Sequence, residues 1–160
     1  MNEDALQNYL DENFPLSRAM GVAAVSAGQD SVLLKAPLEP NINHHDTMFG
    51  GSASTICILA AFSLVHVRLH AEGLSGDIII RRNTMKYEVP VRDEAFARAS
   101  LANEAEWDSI VSGFKANGIA RVAVNADLEC GGRRAGRFSG VFAALSSDAI
   151  ERLSGLKPRT

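Results

Sequence analysis

Hydrophobic and polar positions change period along the chain, and the changes mark its elements. Residues 2 to 13 place Ala5, Leu6, Tyr9 and Leu10 at helical spacing among acids and amides, which predicts a short amphipathic helix. Pro15 breaks that pattern. Residues 20 to 27 and 31 to 38 are rich in Val, Ala and Leu and flank Gly28-Gln29-Asp30, the pattern of a β-hairpin. Pro37 and Pro40 close its second strand. A polar stretch, Asn41 to Thr47, leads to Phe49-Gly50-Gly51-Ser52, and a long apolar run follows. Glycines, then Ser, then a run free of Gly and Pro up to Glu72-Gly73 predict a helix with Gly73 as its stop.

That helix is apolar nearly all round. Ala53, Ile56, Cys57, Ile58, Leu59, Ala60, Ala61, Phe62, Leu64 and Val65 leave no polar face, whereas a surface helix shows one stripe. Such a helix must be enclosed, and in a domain of this size a curved sheet is what encloses it. The second half supplies the strands. They are Ile78 to Val89, which alternates from Asn83 on, Ala95 to Leu101 and Ile119 to Cys130, which alternate with period two, and a final strand, Ala135 to Leu145. The cleanest of them, Ile119 to Cys130, sets Ala120, Val122, Val124, Ala126 and Leu128 on one side. Trp107, Ile110, Val111 and Phe114 follow i, i+3, i+4, i+7 and predict a short helix capping the core. A helical turn from Ser146 that frays at Lys157-Pro158 ends the chain. The expected class is α+β, one domain over residues 1–160.

Composition adds exclusions. The 160 residues are 46% hydrophobic and 22% charged, with net charge −3 and both signs interspersed. That argues against a general nucleic-acid binder, which needs a concentrated basic face. The N-terminus lacks a basic region followed by an apolar stretch, so no secretory signal is visible. The longest apolar run, Ala53 to Val67, is about 15 residues, short of the roughly 20 of a spanning helix. Cys57 and Cys130 have no metal-ligand spacing and fit reduced thiols of a cytoplasmic protein. His44-His45 lacks further ligands at suitable spacing, and no metal or cofactor is expected.

Two segments then become specific. Asn43-His44-His45-Asp46-Thr47-Met48-Phe49-Gly50-Gly51 resembles the loop-to-helix motif of hotdog-fold thioesterases, many of which read Asn, two residues, Gly, Thr, one residue, His, Gly, Gly. The strand Met85 to Pro90, with its acidic turn, resembles the long third strand of that superfamily. Thr47, Phe49-Gly50-Gly51-Ser52, Gly76-Asp77-Ile78-Ile79-Ile80 and the Tyr87/Pro90-Val91 strand end are closest to the thioesterase-like family represented by the C-terminal domain of the bacterial protein YiiD. The resemblance covers roughly residues 15 to 145. It implies a hotdog fold, in which a long central helix is wrapped by a curved antiparallel sheet, and action on acyl-CoA or acyl-carrier-protein thioesters. Some relatives carry an acetyltransferase domain in front, for which 160 residues leave no room.

The motif suggests chemistry. Helix N-terminal amides at Gly50-Gly51-Ser52 are placed to polarise a thioester carbonyl. Asp46 is the candidate base, or a turn residue. Asn43 holds a water or stabilises its loop. Thr47 bonds the motif or the substrate. Ser54 positions a water or bonds its own helix backbone. Arg81 and Arg82 with Lys86, or Arg133-Arg134 with Arg137, offer phosphate contacts or are solvated strand faces. Phe49, Met85 and Tyr87 line the acyl path or are plain core. The sequence departs from the family at two points. Ile56-Cys57-Ile58-Leu59 stands where many relatives carry an acid on the central helix, and Phe49 replaces the His. Three readings follow: thioesterase, non-catalytic acyl-thioester-binding module, and hydratase or dehydratase. An uncovered strand edge predicts an isologous homodimer, or a tetramer built from it.

Overall fold

The computed structural model describes residues 1–154; the expected fraying at Lys157-Pro158 lies outside them. Helix α1, Glu3–Asn13, is capped by the Asn2 side chain, which accepts from the Ala5 N–H at 2.9 Å. Pro15 does more than end that pattern. It sits at the first position of a second short helix, α2, Pro15–Ala19, where a missing N–H costs nothing. The hairpin strands β1, Ala23–Ala27, and β2, Val32–Ala36, are shorter than the apolar runs that predicted them. Gly21, at φ 68°, stands in the turn before β1, and the residues after β2 lead into a 3-10 turn at Glu39–Asn41.

The central helix α3 runs Gly50–Ala71, so both glycines belong to its first turn. Then come β3, Asp77–Tyr87; β4, Ala95–Leu101; α4, Trp107–Asn117; β5, Ile119–Cys130; β6, Arg133–Leu145; and α5, Ser147–Ser154. The six strands form one antiparallel sheet in the order β1-β2-β4-β5-β6-β3. Because α3 intervenes between β2 and β3, the chain crosses the sheet and β3 pairs with β6 at the far edge. The inward residues of β4, β5 and β6 close over Ile56, Ala60, Leu64 and Val67 of α3. Ile56, Ala60 and Leu64 are fully buried.

Helix α3 has 22 residues and is long and apolar enough to cross a membrane, which the shorter apolar run did not suggest. Its surroundings decide the matter: 72% of its most apolar window is buried inside the domain. Cys57 lies wholly within this core, and burial, with Asp127 adding to it, pushes its thiol up to about 12. It is an inert core thiol.

The flank of α3 away from the sheet meets α1. His66 stacks on Tyr9 at 4.0 Å between ring centroids, and Phe62 lies parallel to both. Burial, helped by the neighbouring His70, holds the His66 imidazole below its ordinary 6.5. Below pH 6.5 the unfolded chain therefore takes up a proton that the folded chain resists, and stability falls as pH drops through that window. Phe at position 66 keeps the ring and removes the titration. His66→Phe should narrow the stability difference between pH 7.5 and pH 5 in urea unfolding curves; an unchanged difference refutes the assignment.

Candidate active site

The loop before α3 is held by Asn43. Its Oδ1 accepts from the His45 N–H at 2.8 Å and the Thr47 N–H at 3.3 Å, while its Nδ2 donates to Thr47 Oγ1 at 3.1 Å. Its main-chain N–H also donates to the Thr47 carbonyl at 2.8 Å. Both ends of the amide thus bond the loop. Asp46 sits at the corner with φ 55°, the left-handed region. It occupies the position at which the motif usually has Gly, a third departure beside the two noted above, and Asp is among the few other residues that accept this conformation. The Asp46 side chain is exposed and has no hydrogen bond or ion pair among the described residues.

The loop delivers the chain to α3 with Phe49 as N-cap and no side-chain cap. The first intrahelical bond runs from the Ala53 N–H to the Phe49 carbonyl at 3.0 Å. The amides of Gly50, Gly51 and Ser52 precede it and remain free of intrahelical partners, at the positive end of a helix dipole. Two exposed aromatic rings flank them. Tyr87 reaches over Gly50: its hydroxyl donates to the Gly50 carbonyl at 3.1 Å, and a Cβ at Gly50 would lie 3.5 Å from the ring. Phe49 folds back over Gly51, where a Cβ would come within 2.9 Å of its Cζ. Only glycine leaves room there without moving that ring.

Beside this terminus opens a cleft of about 300 Å³, lined by Thr47, Met48, Ala53, Tyr87, Glu88, Val89, Pro90, Val91, Leu128 and Ala135. Its walls are largely apolar, and Glu88 is its one charged lining residue among the described residues. That carboxylate accepts from Arg134 Nε at 3.0 Å and Arg137 Nε at 2.7 Å. The bond from Arg134 above all, with that from Arg137, holds the Glu88 carboxyl below the usual range.

The fold therefore brings together Thr47, Phe49, Gly50, Gly51, Ser52 and Tyr87, with Asp46 on the adjoining loop. Other candidates lie elsewhere. Ser54 is half-buried, and the hydroxyl that bonds the helix backbone belongs to Thr55, whose Oγ1 donates to the Gly51 carbonyl at 2.7 Å. Arg81 sits at a bulge of β3, and Arg82 lines a groove on the outer face of the sheet. Tyr87 is 58% exposed and no part of the core, whereas Met85 is half-buried against it. Leu128 and Ala135 were not legible as cleft residues, because pairing across the sheet joins positions far apart in sequence. The one early signal was the strand end Tyr87 to Val91, which carries half of the lining.

A long helix enclosed by a six-stranded antiparallel sheet, with a glycine-rich start beside an apolar cleft, is the hotdog fold. The chain belongs to the family described as "Putative thioesterase (yiiD_Cterm)", whose model matches residues 3–146. It is similar to a protein of unknown function from Chlorobaculum tepidum, with 27% identity, TM-score 0.85, and coverage of 90% of this chain and 94% of that one. It is also similar to a protein of Shewanella oneidensis described as a "putative thioesterase", with 25% identity, TM-score 0.78, and 89% and 96% coverage. A Haemophilus influenzae thioesterase shares the fold at 12% identity and TM-score 0.71, over 91% of this chain and 92% of that one.

Proposed function

We propose that the protein hydrolyses acyl-CoA thioesters, with the acyl group in the cleft and the carbonyl at the start of α3. The observation that carries this reading is the uncapped Gly50-Gly51 terminus opening onto an apolar cleft. Preorganised amides aimed at an oxygen that gains charge in the transition state lower the barrier by a few kcal/mol (about 3). Water supplies the nucleophile. Glu88 is the carboxylate that lines the cleft, and Asp46 stands on the adjoining loop. Glu88 is held ionised by two arginines and is a poor proton acceptor. Asp46 has no partner among the described residues, so it is free to orient a water and take its proton. Thr47 lines the cleft with its hydroxyl bonded to Asn43, Ser52 supplies the helix amide after Gly51, and Phe49 swings off Gly51 to admit the carbonyl.

The same site is half of a dimer in this reading. Strand β3 ends the sheet with an 11-residue edge unpaired among the described residues, and Ile79 and Ile80 are exposed on it. A second copy pairing there in an isologous dimer continues the sheet and covers them.

Helix α3 contains no Asp or Glu, and this favours one second reading, an acyl-thioester-binding module without turnover. Thiol release from a panel of acyl-CoA and acyl-carrier-protein substrates separates the two. Saturable hydrolysis of acyl-CoA is the expected result. Saturable binding without any thiol release sinks hydrolysis in favour of the binding module.

A further inference from the structure

We propose that the outer face of the sheet carries a second binding site, a groove across β3–β6 that takes the phosphates of a nucleotide. The register builds it. Lys86 of β3 pairs with Arg137 of β6, which pairs with Asp127 of β5, which pairs with Arg98 of β4. One step along the strands the same pairing aligns Thr84, Ser139, Asn125 and Ser100. Charged residues thus form one row and neutral hydrogen-bonding side chains the next, on one solvated face. A groove of about 460 Å³ follows these rows, and a second of about 270 Å³, which includes Arg82, adjoins it through Thr84 and Ser139. Together they fall within the size range of small-molecule sites.

Charge selects the ligand. Asp127 is the one carboxylate lining either groove among the described residues, and Arg98 stands opposite it. Lys86 and Arg82 have no ion-pair partner among the described residues, and Arg137 spends its Nε on Glu88, which leaves the rest of its guanidinium fork. This basic face belongs to a chain of net charge −3. Clustered guanidinium and ammonium groups beside hydroxyl and amide side chains suit phosphate oxygens together with a sugar or base. Nor is the groove isolated from the cleft. Glu88 lines the cleft and Arg137 lines the groove, so an anion in the groove competes with Glu88 for Arg137.

The site depends on the thioesterase reading only for where its nucleotide comes from. Calorimetric titration of the whole chain with ADP at low ionic strength is the test. ADP should bind saturably, inorganic phosphate should compete, and adenosine should not bind. The double variant Arg82→Ala/Lys86→Ala should weaken ADP at least about tenfold, as expected for losing two charge-assisted contacts, and the charge-preserving Arg82→Lys/Lys86→Arg should retain it. An absence of saturable ADP binding, or equal affinity in the alanine variant, overturns the proposal. If the alanine variant also raises the acyl-CoA KM at unchanged kcat, the groove seats the substrate's own nucleotide; ADP binding with no KM effect assigns it to a free nucleotide. A chain that hydrolyses no thioester still answers the ADP question.

Discussion

Asp46→Asn is expected to cut thiol release by about 10²–10⁴-fold, the range for loss of a general base, while leaving the melting temperature unchanged. The second half of that expectation makes the first half readable. Asp46 holds a left-handed backbone conformation, φ 55°, at the corner of the loop that sets α3 in place. Asn tolerates that conformation, so the substitution removes the charge and keeps the corner. Alanine does both kinds of damage. Asp46→Ala should lose the same activity and also about 1 kcal/mol of stability, since a β-carbon without a local hydrogen bond is strained there. Asp46→Gly should keep full stability and lose activity. Undiminished turnover in Asp46→Asn removes Asp46 from the chemistry and leaves it a turn residue.

Arg68→Ala should lower the unfolding free energy by about 3 kcal/mol, the largest stability loss expected from one charged residue among the described residues. Arg68 is a cation on an otherwise apolar helix, and only 4% of it is exposed. Its guanidinium donates to both carboxylate oxygens of Glu104, at 2.8 and 2.5 Å, and to the Gln29 carbonyl at 2.9 Å, and it lies 4.3 Å from the Trp107 ring centroid. One side chain thereby ties α3 to the β1–β2 turn and to the start of α4. Breaking a fully buried ion pair costs roughly 3–5 kcal/mol. Here Glu104 is 61% exposed and regains water when its partner goes, which places the loss at the low end. The Gln29 carbonyl and the cation over Trp107 contribute the rest. Arg68→Met retains the packing of the stem and should lose less, about 2 kcal/mol. Urea unfolding with an unchanged slope measures both; losses under 1 kcal/mol in Arg68→Ala would show that the network contributes little.

The fold was readable because its main determinant is local in sequence. A helix with no polar face admits few solutions, and the strands alternate cleanly where they pair at the sheet centre. Ala95–Leu101 and Ile119–Cys130 emerge with the boundaries their alternation predicts. The errors lie where local pattern competes with turn geometry. Pro15 reads as a breaker yet starts α2, and the apolar residues flanking β1 and β2 belong to turns. The site was half readable. Asn43 to Gly51 is contiguous, and its motif points to the helix start. The cleft's far wall comes from β3, β5 and β6, whose register no local pattern sets. For the same reason the tie from Arg134 and Arg137 to Glu88 was invisible: 46 and 49 residues separate them. The hydrogen bonds of Asn43 and the fold of the Phe49 ring over Gly51 were also hidden, since each depends on where a side chain turns.

The placement of the thioester carbonyl against the uncapped start of α3 is tested most directly by a crystal structure with a non-hydrolysable acyl-CoA analogue. The expected result is the acyl chain between Tyr87 and Leu128, the carbonyl oxygen within about 3 Å of the Gly51 or Ser52 N–H, and the Phe49 ring displaced. An analogue bound with its carbonyl away from these amides, and Phe49 still over Gly51, would contradict it.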